Sequence, residues 1–72
     1  MRWEYHPESD SAYFYLLEEV GAGQSAAQVH CDAEELAHPI VIDLDREGRV
    51  LGFEFPSGAR EMLPQDLLDR FH

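Results

Sequence analysis

Residues 43–54, DLDREGRVLGFE, carry the ligand spacing of a calcium-binding loop. Asp43 and Asp45 stand at the first and third positions, Gly48 at the sixth and Glu54 at the twelfth, as in an EF-hand. Carboxylate oxygens at this spacing bind Ca²⁺ when the loop lies between two helices. The stretch therefore poses a choice between a metal site and a turn between two strands.

The residues around this stretch favour a β-hairpin. PIVI precedes it at residues 39–42 and Phe55-Pro56 follows it, which indicates a strand and a breaker rather than two helices. The expected connection is a type I turn through Arg46 and Glu47, closed by Gly48 in the left-handed conformation. In this register Asp45 pairs with Arg49, Leu44 with Val50, and Asp43 with Leu51.

Acidic side chains in the two predicted turns are the other candidates for chemistry. Asp43, Asp45 and Glu54 belong to one hairpin, and Glu8 and Asp10 belong to the turn before the second strand. If the two turns met, their carboxylates could hold a divalent ion or perform acid–base catalysis. This is the alternative function: a small divalent-metal-dependent enzyme or a metal sensor that uses the acidic hairpin turns.

Two arguments favour a structural role for these acids. A chain of 72 residues is too short to enclose a dry pocket and keep its own core. Aspartate in a turn also has a local role, because its carboxylate accepts hydrogen bonds from nearby amides. We therefore predict no catalytic residue and no enzymatic activity.

A zinc site is disfavoured for a different reason. His30, Cys31 and His38 could supply three ligands, but adjacent strand residues point to opposite faces of a sheet. No C-x-x-C spacing is present. We predict no metal site and no cofactor.

The elements that position these residues are predicted to form a single α+β domain over residues 1–72. Trp3 and Tyr5 alternate with polar residues, HPESDS supplies a turn, and AYFYLL begins a second strand that is apolar on both faces. Residues 27–31 give a weaker strand signal. We expect a small antiparallel β-meander of four to five strands with a short C-terminal helix. That helix would present Leu63, Leu67, Leu68 and Phe71 on one face.

Charge and cysteine content restrict the possible partners. Fifteen acidic residues against five arginines, with no lysine, give a formal charge of −10, which disfavours direct nucleic-acid binding. Such a surface attracts basic proteins, although it is also compatible with simple solvation. One cysteine, no signal-peptide-like start and no long apolar run predict a cytoplasmic protein that does not enter a membrane.

The hairpin is expected to have two apolar faces. Ile40, Ile42, Leu44 and Val50 line one face in the predicted register, and Val41, Leu51, Phe53 and Phe55 line the other. A short helix can cover only one of them, and an apolar face is seldom left in water. We therefore predict a homo-oligomer, most simply a dimer. The candidate interface residues are Trp3, Val41, Leu51, Phe53 and Phe55.

Two segments of the chain carry a recognisable pattern. The first is YHPESD at residues 5–10 with Tyr13 and Leu16; the second comprises IDLD at residues 42–45, Gly48, GFEF at residues 52–55 and Ala59-Arg60. Together they resemble a family of small prokaryotic proteins catalogued as domain of unknown function 2283. The resemblance implies a compact, β-rich domain without an established catalytic activity. Because some relatives are encoded beside small toxin-like proteins, it also implies an antitoxin-type role.

These observations favour a non-enzymatic protein-binding module. It would self-associate through an apolar face and hold a basic protein partner, as an antitoxin holds its toxin.

Overall fold

The computed structural model describes residues 1–21 and 23–70. Five strands and two short helices form an α+β arrangement, as the sequence predicts. The strands are β1 (Arg2–His6), β2 (Ser11–Tyr15), β3 (Ala27–Cys31), β4 (Ile40–Leu44) and β5 (Val50–Phe55), and the helices are α1 (Ala59–Met62) and α2 (Gln65–Leu68).

The strands form one antiparallel sheet in the order β1-β2-β5-β4-β3, so the predicted meander is wrong. After β2 the chain crosses to β3 at the far edge of the sheet, on the other side of the β4–β5 hairpin. Both ends of this connection bond to that hairpin, since the Leu16 amide donates to the Leu51 carbonyl and the Ala26 amide to the Leu44 carbonyl, each at 2.9 Å. This route leaves the place beside β2 open for β5.

The β4–β5 connection is the predicted hairpin. Gly48 has φ of 79° and donates its amide to the Asp45 carbonyl at 3.1 Å. The Asp45 amide donates to the Arg49 carbonyl at 2.9 Å, and Leu44 lies opposite Val50, which confirms the predicted register at the turn.

One residue beyond the turn, the register changes at a β-bulge. Asp43 lies opposite Gly52, so the predicted pairing of Asp43 with Leu51 is wrong, and Leu51 is the extra residue. A one-residue shift moves every later side chain to the other side of the sheet. Ile42 consequently lies opposite Phe53 on the same face, whereas Val41 lies opposite Glu54 on the other. The predicted division of the hairpin between two apolar faces was wrong for this reason.

The C-terminal segment contains two four-residue helices where one helix was expected. Leu63, between them, is extended with φ of −101° and ψ of 146°. The cause is Pro64, because a residue before proline is disfavoured in the helical conformation. Leu67 and Leu68 lie in α2 as predicted, and Phe71 lies outside the described residues.

The turn between β1 and β2 anchors the start of α1. Asp10, at a φ of 50°, accepts the Ala59 amide on its carbonyl at 2.9 Å. Its carboxylate accepts the Tyr5 hydroxyl at 3.0 Å and the Arg60 amide at 3.1 Å. Three hydrogen-bond donors thus converge on one acid, which ties the end of the sheet to the helical segment.

The core is small for a chain of this length. Among the described residues, the buried apolar side chains are Ala12, Val41, Leu51 and Ala59, and no large side chain is fully buried. The accessible surface is 5095 Å², against about 4,600 Å² for an ordinary monomer of this mass. The radius of gyration is 12.5 Å, against about 11 Å for a compact chain of this length. Substantial contacts join neighbouring strands, whereas contacts between the helices and the strands are slight. Within residues 1–21 and 23–70, the fold is therefore one sheet layer that packs little against the helical segment.

Candidate functional site

One side of the sheet, which we call the apolar face, carries no charged strand residue. Paired residues across the register form a row on this face: Trp3, Phe14, Phe53, Ile42 and Val29. The ring centroids of Trp3 and Phe14 are 3.9 Å apart, and those of Phe14 and Phe53 are 6.1 Å apart with nearly parallel planes. The remaining members of the apolar face are Tyr5, Ala12, Ala27, Cys31, Ile40, Leu44, Val50 and Phe55.

Most of the apolar face is at least partly exposed in the single chain, whereas Ala12, near the first turn, is buried. Trp3 is 38% exposed, Val29 43% and Val50 39%, and the residues between them are only half-buried. A contiguous apolar surface at this exposure is typical of one that another protein covers.

The other side, which we call the polar face, holds the charged and hydroxylated residues of the same strands. Its centre is Tyr13 and Tyr15, whose rings are stacked with centroids 6.1 Å apart and an interplanar angle of 7°. The Arg2 guanidinium carbon lies 4.6 Å from the centroid of Tyr15. The His6 ring meets Tyr13 edge-on at 5.8 Å. The other members of the polar face are Glu4, Ser11, Gln28, His30, Val41, Asp43, Gly52 and Glu54.

Burial and carboxylates raise the pKa of both tyrosines. For Tyr13, partial burial is the larger cause, and the charge of Glu54 and its hydrogen bond with the hydroxyl add to it. For Tyr15, partial burial again leads, the charge of Glu4 adds to it, and Arg2 acts in the opposite direction. Neutral phenols therefore persist on this face at physiological pH, beside carboxylates close enough to perturb them.

The match to a known family covers the strands that build both faces. A family described as "Protein of unknown function (DUF2283)" matches residues 2–56. The chain belongs to this family. Comparisons with curated proteins and with solved structures gave no match.

The DUF2283 match confirms the resemblance carried by the two sequence segments. It runs from the first residue of β1 to one residue past β5, so it contains the whole sheet, whereas α1 and α2 lie beyond it. The two faces are thus features of the family's region of the chain.

The predicted interface residues divide between the two faces. Trp3, Phe53 and Phe55 lie on the apolar face. Val41 lies on the polar face, and it and the bulge residue Leu51 are each only 4% exposed, so both contribute to the core of the single chain. Phe14, Ile42 and Val29, which the prediction did not name, lie on the apolar face beside Trp3 and Phe53. Their strand alternation was visible in the sequence, but only the register shows that they form one row.

The acidic turns do not come together. Ala12, next to the first turn, lies opposite Phe55, whereas Tyr15, at the far end of β2, lies opposite Gly52. The two turns are therefore at opposite ends of the sheet. The Asp45 carboxylate accepts the amides of Glu47 and Arg49, each at 2.9 Å, which is the predicted local role. Within residues 1–21 and 23–70, no group of three or more His, Cys, Asp or Glu side chains is arranged to hold a metal ion.

The candidate zinc ligands are also separated. His30 lies opposite Val41 and Cys31 opposite Ile40, so the two side chains are on different faces. His38 Nε2 lies 3.3 Å from a carboxylate oxygen of Glu61 instead.

A groove lies between the edge strand β1 and helix α2. Its volume is about 780 Å³, and its lining includes Trp3, Tyr5, Leu67, Leu68 and Arg70. The groove joins the family's sheet to the helical segment beyond the match. In the described part of the chain, neither helix is long and apolar enough to cross a bilayer.

Proposed function

We propose that this protein is a non-enzymatic protein-binding module that forms a homodimer by packing two apolar faces together. The observation that carries this proposal is a charge-free, aromatic face with which the described helices make few contacts. Domains are built from at least two packed layers, because a sheet must bury its apolar side. A second copy supplies that layer, and the dimer is a sandwich of two sheets about 10 Å apart.

The surface area supports an interface of adequate size. Each chain exposes 5095 Å², which is about 500 Å² more than an ordinary monomer of its mass. Covering that excess on two copies buries about 1,000 Å² in total, the lower bound for a specific interface.

Charge favours a second copy as the occupant of this face. The chain carries −10, so two copies repel each other wherever their acidic surfaces approach. The apolar face is the part of the sheet where two identical chains meet without juxtaposing like charges, as an isologous contact requires.

The second part of the proposal concerns the surface that stays exposed in the dimer. The polar face and the loops carry the negative charge outward, which favours a basic protein partner. Among the described residues, the acids that form ion pairs within 4.0 Å are Glu18, Glu61 and Asp10. All three lie outside the polar face. The carboxylates of the polar face remain available, and an antitoxin-type role in the cytoplasm, implied by the family resemblance, is compatible with them.

Two neighbouring residues of β3 test the dimer. Val29→Glu adds a negative charge to the apolar face, and His30→Glu adds one to the opposite side of the same exposed strand. We expect sedimentation velocity at micromolar concentration to give a dimer for the wild type and for His30→Glu, and a monomer for Val29→Glu. Circular dichroism checks that each variant is folded. A monomeric wild type, or equal loss of association in both variants, would refute the proposal.

A further inference from the structure

We propose that the polar face binds arginine side chains of a basic partner, with the guanidinium group stacked on the Tyr13–Tyr15 pair and bonded to Asp43 and Glu54. This inference rests on the proposed function, because it names the chemistry by which the acidic face would hold its partner. It concerns the face turned away from the proposed dimer contact.

The first support is the stacked tyrosine pair. The two rings are separated by 6.1 Å and nearly parallel, and both are half-buried, so they offer fixed aromatic surface to a planar cation. Cations are attracted to the faces of such rings, and arginine is used for this contact more often than lysine.

The second support is that the chain already makes this contact with itself. The Arg2 guanidinium carbon is 4.6 Å from the centroid of Tyr15, within the distance of a favourable cation–π interaction. Arg2 also donates to the Glu18 carbonyl at 3.2 Å, so it is held at the edge of the face by the connection that follows β2. The intramolecular contact shows that the Tyr15 ring is accessible to a guanidinium group.

The third support is the set of carboxylates around the rings. Glu54 lies directly opposite Tyr13, and Asp43 is close enough to contribute to the raised pKa of both tyrosines. Asp43 accepts one hydrogen bond, from Gln28 Nε2 at 2.9 Å. Neither acid pairs with an arginine of the described chain within 4.0 Å. Each therefore retains acceptor capacity for an incoming cation.

Gly52 gives this part of the face its shape. It lies between Tyr15 on β2 and Asp43 on β4 and contributes no side chain to the polar face. A Cβ atom there would lie 2.3 Å from the carbonyl oxygen of Phe14. Tyr15 and Asp43 therefore flank a position of β5 that carries no side chain.

This combination selects arginine over lysine. A guanidinium group is planar, stacks on aromatic rings and presents a fork of donors to carboxylates, whereas an ammonium group is a compact, strongly hydrated charge. A surface that recognises only net charge would bind both cations equally.

The experiment compares two labelled peptides, Gly-Arg-Gly-Arg-Gly-Arg-Gly and its lysine counterpart, by fluorescence anisotropy with the full chain at low and physiological salt. We expect the arginine peptide to bind about fivefold more tightly, the magnitude of one cation–π contact. Equal affinities of the wild type for the two peptides would overturn the inference without any variant.

Matched variants locate the site. Asp43→Asn/Glu54→Gln should weaken arginine-peptide binding about tenfold, as expected for losing charge-assisted hydrogen bonds. Glu34→Gln/Glu35→Gln removes the same charge from the exposed loop before β4 and should weaken it less than twofold. Equal losses in the two double variants would show a response to net charge only and would overturn the assignment.

A second pair of variants tests the internal contact. Arg2→Ala removes the guanidinium group that occupies Tyr15, and Arg46→Ala removes an equal charge from the exposed β4–β5 turn. We expect Arg2→Ala to strengthen arginine-peptide binding more than Arg46→Ala does. If the affinity of Arg2→Ala for the peptide rose no more than that of Arg46→Ala, Arg2 would not compete with the peptide for the Tyr15 ring. Sedimentation of the same samples separates the two proposals. A monomeric protein that prefers the arginine peptide would refute only the dimer. A dimer that binds both peptides equally would refute only this inference.

Discussion

On β2, Phe14 and its neighbours Tyr13 and Tyr15 occupy opposite sides of one strand, and their surroundings differ sharply. Phe14 lies between Trp3 and Phe53 in a row without charge. The tyrosines lie among carboxylates, with an arginine over one ring. The sequence shows aromatic residues on both sides of this strand and does not distinguish their surroundings, so residue type alone is a poor guide to the role of each one. The cross-strand neighbours decide it.

The comparison also shows how a short chain can divide its tasks. Strand alternation separates apolar from charged side chains with no extra residues, and each side of a five-residue strand then has its own chemistry. The apolar side is suited to packing against another apolar surface, and the polar side is suited to remaining hydrated and recognising a charged group.

The largest expected effect comes from the adjacent variants Phe14→Ala and Tyr13→Ala. Phe14→Ala removes two ring contacts on the apolar face and should lower the free energy of unfolding by about 3 kcal/mol. Tyr13→Ala should cost about 1 kcal/mol, the scale of a cross-strand pair on a hydrated face.

Urea unfolding at several protein concentrations measures both effects. Wild-type and Tyr13→Ala midpoints should rise with concentration, as for a dimer, and the Phe14→Ala midpoint should not. If Tyr13→Ala cost as much as Phe14→Ala, the two faces would not differ in the way described.

A somewhat smaller effect is expected at the bulge that assigns residues to each face. Gly52→Ala places a Cβ atom 2.3 Å from the Phe14 carbonyl oxygen, which is backbone and cannot rotate away. We expect a loss of about 2 kcal/mol in thermal or urea unfolding. Gly21→Ala is the control, because its nearest neighbour is a side-chain oxygen at 3.6 Å, and it should change stability by less than about 0.5 kcal/mol. Equal stability of the two variants would contradict the tight pairing of β2 and β5.

The smallest effect is expected from alkaline titration of the polar face. The pKa values of Tyr13 and Tyr15 are raised above 10.0 in the folded state. The folded chain therefore holds these protons more tightly than the unfolded chain, so this contribution is complete below the unfolded pKa and is lost as the pH rises through the folded pKa.

Ultraviolet absorbance of phenolate and melting curves measure this loss. Tyr13→Phe/Tyr15→Phe should lose less stability between neutral pH and the alkaline range than the wild type does, since two of the ionising groups are gone. A double variant with the same alkaline loss would show that these two phenols do not contribute.

Local features of the fold were predictable from the sequence. The β4–β5 turn follows from Asp45 and Gly48, because both its hydrogen bonds and its left-handed residue depend on those residue types. The rule that a residue before proline avoids the helical conformation also applies to Leu63, and it could have predicted the break between α1 and α2.

Non-local features were not predictable in this way. Consecutive strands usually pair, so the placement of β5 beside β2 carries no local signal. The bulge at Leu51 leaves the alternation of the sequence unchanged, and it reverses the face assigned to Val41 relative to Phe53. The register consequently places Trp3, Phe53 and Phe55 on one face and Val41 on the other.

The single extra residue in β5 changes what this strand contributes to the interior. With Leu51 deleted, Val50 would still lie opposite Leu44 and Gly52 opposite Asp43, so Phe53 and Phe55 would keep their face. The loss would instead be an interior side chain, because Leu51 is only 4% exposed and is one of the few apolar residues buried in the described part of the chain. The bulge thus lets β5 supply one more buried side chain than strict alternation provides.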